Sequence, residues 1–243
     1  MIPWMPKDGA LHGAVLDRLM GWNLAVLLAL FFLAHILIVL GVLRRRSSQE
    51  NAHTEGNPLL KKWLPLAGLC ALYVWMALTA ERLWAAHRFE GASLTAMQVE
   101  VVGVQFQWYF RYPGADAAFG ITRADRIDAA GGNPLGLDSE DTRGHDDVVS
   151  SVLMLPAGRE VDLRLRSQDV IHGFFIPGMR LKQNAVPGMV LHVHFTPDVP
   201  GDYPILCSQV CGLGHARMQA TLRVVSPAEF DRWMAGREER VTQ

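Results

Sequence analysis

Between Trp22 and Leu43 the chain reads "WNLAVLLALFFLAHILIVLGVL", twenty-two residues in a row without a formal charge. As a helix this run is about 33 Å long, enough to cross a hydrocarbon core of about 30 Å, and few other structures can hold so much apolar surface. A second run, "WLPLAGLCALYVWMALTA" from Trp63 to Ala80, is shorter but still of spanning length. Pro65 falls in its first turn, where a missing N–H costs least. A cleaved signal peptide fits the first run poorly, because the stretch exceeds a typical apolar region of about 7–15 residues and ends in "RRR". The second run also has the composition of a buried core helix, but its flanking "KK" and "ER" favour a membrane span.

Arg44, Arg45 and Arg46 close the first run, and Lys61 and Lys62 open the second. The positive-inside rule therefore puts the connecting loop in the cytoplasm and both termini outside. The expected organisation is an extracytoplasmic segment 1–20, spans 21–43 and 63–82 joined by a cytoplasmic loop 44–62, and an extracytoplasmic domain after a polar connector. His35 lies within the first span and Glu81 at the end of the second. A hydrogen bond to a partner helix and an interfacial position are expected for them, although ionisable groups in membranes are functional candidates. Cys70 reads as a small apolar residue packed in the second helix.

Beyond residue 94 the pattern alternates. "MQVEVVGVQFQWYFRY" (97–112) is rich in β-branched and aromatic residues, and "VVSSVLML" (148–155) ends at the turn "PAG". "REVDLRLR" (159–166) puts Val161, Leu163 and Leu165 on one face. "MVLHVHFT" (189–196) places Leu191, Val193 and Phe195 opposite His192 and His194, which read as surface residues. "PDVPGDYP" reads as a turn cluster, and "QATLRVV" (219–225) as a last strand. Short strands with Gly and Pro punctuation and no helices between them predict an all-β sandwich or barrel over 95–226. "SPAE" at 226–229 starts a short terminal helix over 227–243, with Ser226 as cap, Pro227 in the first turn and Glu229 completing a capping box. The acidic stretch 113–147 reads as a solvated surface insert, without the spacing of an EF-hand calcium loop. The net charge of −1 comes with no internal repeat and no nucleic-acid signature.

Residues 207–218, "CSQVCGLGHARM", gather Cys207, Cys211, His215 and Met218. The three-residue gap between the cysteines matches neither a two-residue zinc or thioredoxin spacing nor haem attachment. In an oxidising compartment a plain Cys207–Cys211 disulfide is one reading. The other is copper. Blue-copper proteins take Cys, His and Met from one loop and a second histidine from earlier in the chain, and His172 in "SQDVIHGFFIP" is the candidate. A second thiolate changes the stoichiometry, since two bridging sulfurs hold two copper ions. Closed coordination of that kind suits electron transfer. His12, His53, His87 and His145 have no such company.

"DVIHGFFIP…LKQNAVPG…CSQVCGLGHARM", preceded by two spans and "QWYFRYP", resembles subunit II of the haem–copper cytochrome c oxidases over nearly the whole chain. The resemblance implies a two-helix transmembrane hairpin, a cupredoxin-like Greek-key domain and the dinuclear copper centre CuA. On the matching positions it implies Cys207 and Cys211 as bridging thiolates, and His172 and Met218 as ligands of one copper. His215 and the Gln209 carbonyl go to the other, and electrons enter through Trp108. The implied partners are a haem-bearing catalytic subunit I, further oxidase subunits and membrane lipid, with cytochrome c as donor, in a bacterial inner membrane with the copper domain on the periplasmic side. No C-x-x-C-H occurs, so a separate protein is expected as donor, and the acidic insert together with Asp169, Asp198 and Asp202 is a candidate for steering it electrostatically. The family commonly has Glu where Gln209 stands, Asp at Asn184, Arg at Met189, and a proton-path Glu at Leu60. A neutral amide is a poor ligand for a hard cation, so the magnesium ion between subunits is not expected to persist unchanged. Alternative functions are a CuA subunit of a nitric oxide reductase and a membrane-tethered copper-binding module without an oxidase partner.

Overall fold

The computed structural model describes residues 5–47, 57, 62–88, 90–138 and 140–241. Most of the loop assigned to the cytoplasm, with His53, Leu60 and Lys61, lies outside the described residues, as do the side chains of Arg45, Arg46 and His87. The chain divides into two compact units, one holding Val15–Ala86 and the other holding the segment up to Ala14 together with His87–Gln243.

The first unit consists of two helices. Helix α1 runs Gly13–Ser47 and α2 runs Leu64–Arg88. Both are apolar around their whole circumference and exposed along their most apolar stretches, as helices solvated by lipid are. Helix α1 begins well before position 21. His35 needs no partner helix, because its Nδ1 lies 2.7 Å from the Phe31 carbonyl one turn back in α1. Cys70 is exposed on α2 rather than packed against a neighbour.

The second unit is a two-sheet β-sandwich. One sheet orders β3 (Val148–Ser150), β2 (Gln107–Tyr112), β1 (Met97–Val104), β5 (Val161–Ser167) and β8 (Leu191–Phe195). The other orders β4 (Val152–Pro156), β10 (Gln219–Val225), β9 (Gly201–Cys207), β6 (His172–Ile176) and β7 (Leu181–Ala185). Strand β1 runs parallel to β5 with Val99 opposite Leu163, β4 runs parallel to β10, and the other pairs are antiparallel. The inward rows, including Val99, Val101, Phe110, Leu163 and Leu165 from one sheet and Leu153, Leu155, Phe174, Ile205 and Leu222 from the other, are fully buried. Helix α3 (Pro227–Val241) closes one end of the sandwich, packing Phe230 and Trp233 on Tyr112. The Ser226 hydroxyl caps α3 by accepting the Glu229 N–H at 3.3 Å.

Three sequence expectations change in register. The run 97–112 is a hairpin that turns at Gln105 and Phe106. The run 148–155 breaks at Ser151 and sends one half to each sheet, and the Ser150 hydroxyl bridges the break by bonding both the N–H and the carbonyl of Val152. The turn cluster 197–204 gives up its second half to β9. Pro204 is tolerated there because β6 pairs with β9 only at Leu206 and Cys207, leaving Pro204 a strand neighbour on one side alone.

The insert 113–147 is not simply solvated. Phe119 lies under the guanidinium groups of Arg111 and Arg164, at 5.3 and 5.0 Å, and Leu135 is buried. Buried Arg111 pairs with Asp147 and with Glu100 at 3.3 Å and donates to the Gly120 carbonyl at 2.6 Å. This buried ion network fastens the insert to the outer face of the first sheet.

The N-terminal segment also joins the sandwich. Gly9 donates to the Gly178 carbonyl at 2.9 Å and accepts from Asp198 N–H at 2.7 Å, while Leu11 donates to Thr196. A Cβ at Gly9 would lie 2.5 Å from the Tyr203 ring, so the close crossing requires glycine.

Candidate metal centre

His172 opens β6, Cys207 closes β9, and the loop between β9 and β10 carries the remaining candidates. Because β6 pairs with β9 through Phe174 and Cys207, the strand ladder itself brings the histidine and the first cysteine to the same end of the sandwich. The loop then folds back: Ser208 N–H donates to the Gly173 carbonyl at 2.8 Å, and a short 3₁₀ turn at His215–Arg217 returns the chain to β10.

A ring nitrogen of His172 and the sulfurs of Cys207 and Cys211 all lie within 4.8 Å of one another. The two sulfurs are 3.9 Å apart and unbridged. Cys211 Sγ lies 3.8 Å from the Met218 sulfur and 3.7 Å from His215 Nδ1, and the Cys207 thiol lies 3.1 Å from the Gln209 carbonyl. All six sequence candidates for metal ligation therefore converge. Met218 and His172 are fully buried.

The hydrogen-bond pattern around His172 suits a metal. His172 Nε2 is 2.7 Å from the Asp169 carboxylate, whereas its Nδ1 is buried and has no hydrogen-bond partner among the described residues. Burial, reinforced by the neighbouring Cys207, pushes the Cys211 thiol up to about 11. An orphaned imidazole nitrogen beside two thiols and a thioether is a soft donor set, fitting copper and disfavouring hard cations. Where family likeness would put magnesium, the Gln209 side chain is exposed, and Asn184 buries an Oδ1 that lacks a partner among the described residues.

Trp108, expected where electrons enter, has no exposed surface. Its ring packs edge-on against His172 at 5.7 Å and Phe174 at 5.2 Å. The solvent-facing aromatic of the same hairpin is Phe106, 37% exposed and laid against the copper-candidate loop: a Cβ at Gly214 would stand 2.3 Å from its ring. Sequence reasoning missed Phe106 and Gln105. The available signal was the interruption of the alternation by "QF", where a long strand reading left no room for a turn.

The three aspartates do not form a group. Asp169 is beside His172, but Asp202 is the second residue of β9 whereas Cys207 ends it, about 17 Å apart at strand rise. Asp202 is also engaged bidentately by Arg223, and Asp198 is bonded to the N-terminal segment.

A two-sheet sandwich that collects two thiols, a thioether and an imidazole at the end of its strands defines a cupredoxin-like domain with a candidate copper site. Comparison with known proteins gives the family. Residues 97–225 match the family model for the periplasmic domain of cytochrome c oxidase subunit II. The chain is 35% identical over 191 residues to alternative cytochrome c oxidase subunit 2 of Bradyrhizobium diazoefficiens, covering 78% of this chain and 67% of that protein. It is 26% identical over 227 residues to cytochrome c oxidase subunit 2 of Cereibacter sphaeroides, covering 88% and 73%. The chain spans 37% of the length of the Synechocystis relative, at 29% identity over 63% of this chain. A crystal structure of the periplasmic domain of subunit II of cytochrome oxidase from Bradyrhizobium japonicum aligns with TM-score 0.45 at 24% identity, covering 62% of this chain and 99% of that one. The chain belongs to the cytochrome c oxidase subunit II family. With two long apolar helices, it is a membrane protein with a periplasmic domain.

Proposed function

We propose that this chain is the copper-bearing electron-transfer subunit of a respiratory terminal oxidase. It takes single electrons from a cytochrome c and passes them to haem in a membrane-embedded catalytic subunit, where oxygen is reduced to water. The observation that carries the reading is a ring nitrogen of His172 within 4.8 Å of the unbridged sulfurs of Cys207 and Cys211, on a ring whose buried Nδ1 has no hydrogen-bond partner among the described residues. His172 with Met218, and His215 with the Gln209 carbonyl, would hold the two coppers of a CuA centre on either side of the cysteine pair. Bound there, the copper pair would supply a one-electron redox centre whose charge is shared between two metals.

The protein's own part is to keep that centre rigid and dry. Asp169 fixes the His172 ring, Trp108 and Phe174 wall it off from water, and the β6–β9 ladder keeps Cys207 in place. Phe106, rather than buried Trp108, is the surface that a donor can touch, and Trp108 stands behind it against His172. Asp202 is paired with Arg223, which leaves Asp169 as the acidic side chain of the three that lies beside the site. The basic residues around the two spans support a bacterial inner-membrane hairpin with both termini and the copper domain on the periplasmic side.

The test is metal analysis and electron paramagnetic resonance of the full chain reconstituted with copper. Two coppers per chain and a spectrum of one electron shared between them are expected. One copper, zinc alone or a metal-free disulfide would overturn the reading. Turnover of the co-purified complex with oxygen, and not with nitric oxide, separates the oxidase from a nitric oxide reductase.

A further inference from the structure

The two segments that carry the candidate ligands, 169–172 and 207–218, are both touched by a third that carries none: the turn joining β1 to β2. Gln105 lies at its centre. Its backbone N–H donates to Asp169 Oδ2 at 2.7 Å, and Asp169 holds His172 Nε2 at 2.7 Å through its other oxygen. The Gln105 side-chain amide, pointing the other way, donates to the Cys211 carbonyl at 2.5 Å. One residue therefore bonds the carboxylate that orients His172 and the backbone of the cysteine whose sulfur is nearest to Cys207, His215 and Met218.

The surroundings leave this connection little slack. Gly212, with φ +140°, lets the loop pass so close that a Cβ there would stand 2.9 Å from the Gln105 amide nitrogen and 3.1 Å from the Phe106 ring. At the base of the turn, a Cβ at Gly103 would lie 2.8 Å from the His172 ring, and the Gly103 carbonyl accepts the Gln168 N–H at 3.1 Å. The Cys207 end of the loop is held separately, by Ser208 on the Gly173 carbonyl. Cys211 opens a glycine-containing stretch, "CGLG", with little conformational preference of its own.

We infer that Gln105 is a positioning residue: it locks the Cys211 backbone to the Asp169–His172 pair and so sets the cysteine-to-histidine geometry before any metal arrives. The inference rests on the reading of this site as a copper centre. It assigns no ligand role to Gln105. The side-chain amide acts on the metal only through Cys211, and the backbone N–H only through Asp169 and His172.

Two substitutions separate this role from ordinary packing. Gln105→Leu keeps the bulk and removes the amide. Gln105→Glu keeps the shape but, ionised at neutral pH, sets a carboxylate against the Cys211 carbonyl. Both leave the backbone N–H to Asp169 intact. In the full-length chain loaded with copper, both variants are expected to release copper to a chelator about tenfold faster or more, the usual scale for losing a residue that orients a ligand. The copper hyperfine pattern should shift, while the melting temperature of the metal-free protein stays near that of the parent. Parent-like release and an unchanged spectrum in either folded variant would overturn the inference and leave the copper reading intact. A parent chain that binds no copper would overturn both.

Discussion

The carboxylate of Asp169 and the Nε2 of His172 are 2.7 Å apart, and that single contact decides which imidazole nitrogen is left for a metal. With Nε2–H donating to Asp169, Nδ1 is left as an acceptor, buried and without a hydrogen-bond partner among the described residues. Asp169→Asn removes the charge and leaves one oxygen acceptor where the Gln105 N–H uses Oδ2 and the Val170 N–H and His172 use Oδ1. It is expected to weaken copper binding by about tenfold to a hundredfold. Competition with a chelator measures this, and unchanged affinity would show that the histidine is oriented by packing alone.

Trp108 and Phe106, two aromatic residues of the β1–β2 hairpin, should respond in opposite ways. Trp108 has no exposed surface, so Trp108→Ala is expected to cost about 3–5 kcal/mol of stability. Phe106→Ala should leave the fold and the copper spectrum near those of the parent. It should slow the second-order reaction with reduced cytochrome c by about tenfold, as expected when an exposed aromatic contact worth over 1 kcal/mol is lost. Stopped-flow reduction and denaturant titration read the two effects. A Phe106→Ala variant with an undiminished donor rate would put the docking surface elsewhere.

The buried network beneath the insert should be fragile. Asp147→Ala leaves the Arg111 guanidinium buried beside Glu100 alone and is expected to cost about 3–5 kcal/mol. Replacement of Asp202, on the exposed Arg223 pair, should cost less than about 1 kcal/mol. Chemical denaturation of the two variants compares them directly, and equal effects would contradict the fastening role of the insert.

Copper uptake should depend on pH with a definite sign. In the metal-free protein burial pushes the Cys211 thiol up to about 11, so it is protonated at neutral pH and must lose that proton to become a ligand. Apparent affinity is therefore expected to rise with pH between about 6 and 8, by roughly tenfold per unit for each proton released. Isothermal titration in buffers of different ionisation enthalpy counts the protons. Affinity that is flat in pH would mean that Cys211 is not bound as thiolate.

Much of this was legible in the chain itself. The two apolar runs declare helices because nothing but lipid, or a large core, accepts a helix that is apolar on every side. Val161, Leu163 and Leu165 declare their inward face by alternation, and the spacing of Cys207, Cys211, His215 and Met218 crowds soft ligands into one loop. These are local properties, carried by side-chain chemistry within a dozen residues.

What the chain could not show locally is which residues meet across the fold. Trp108 and Phe106 differ by two positions and lie on one hairpin, yet one is buried against His172 and the other faces solvent beside Gly214. That difference arises because the run 97–112 turns at Gln105, and a turn resets which side chains point inward. Asp169 and Asp202 look equivalent in sequence, but the length of β9 and its pairing with Arg223 across β10 take Asp202 away from the copper candidates. The sequence alone determined the candidate ligand types, the two long apolar helices and the strand-rich domain, since each follows from periodicity and local spacing. Only the tertiary structure decided that Gln105 meets Cys211, that Asp169 holds His172 and that Trp108 is sealed from the surface. Those contacts depend on strand register and loop closure between distant segments, which no local pattern encodes.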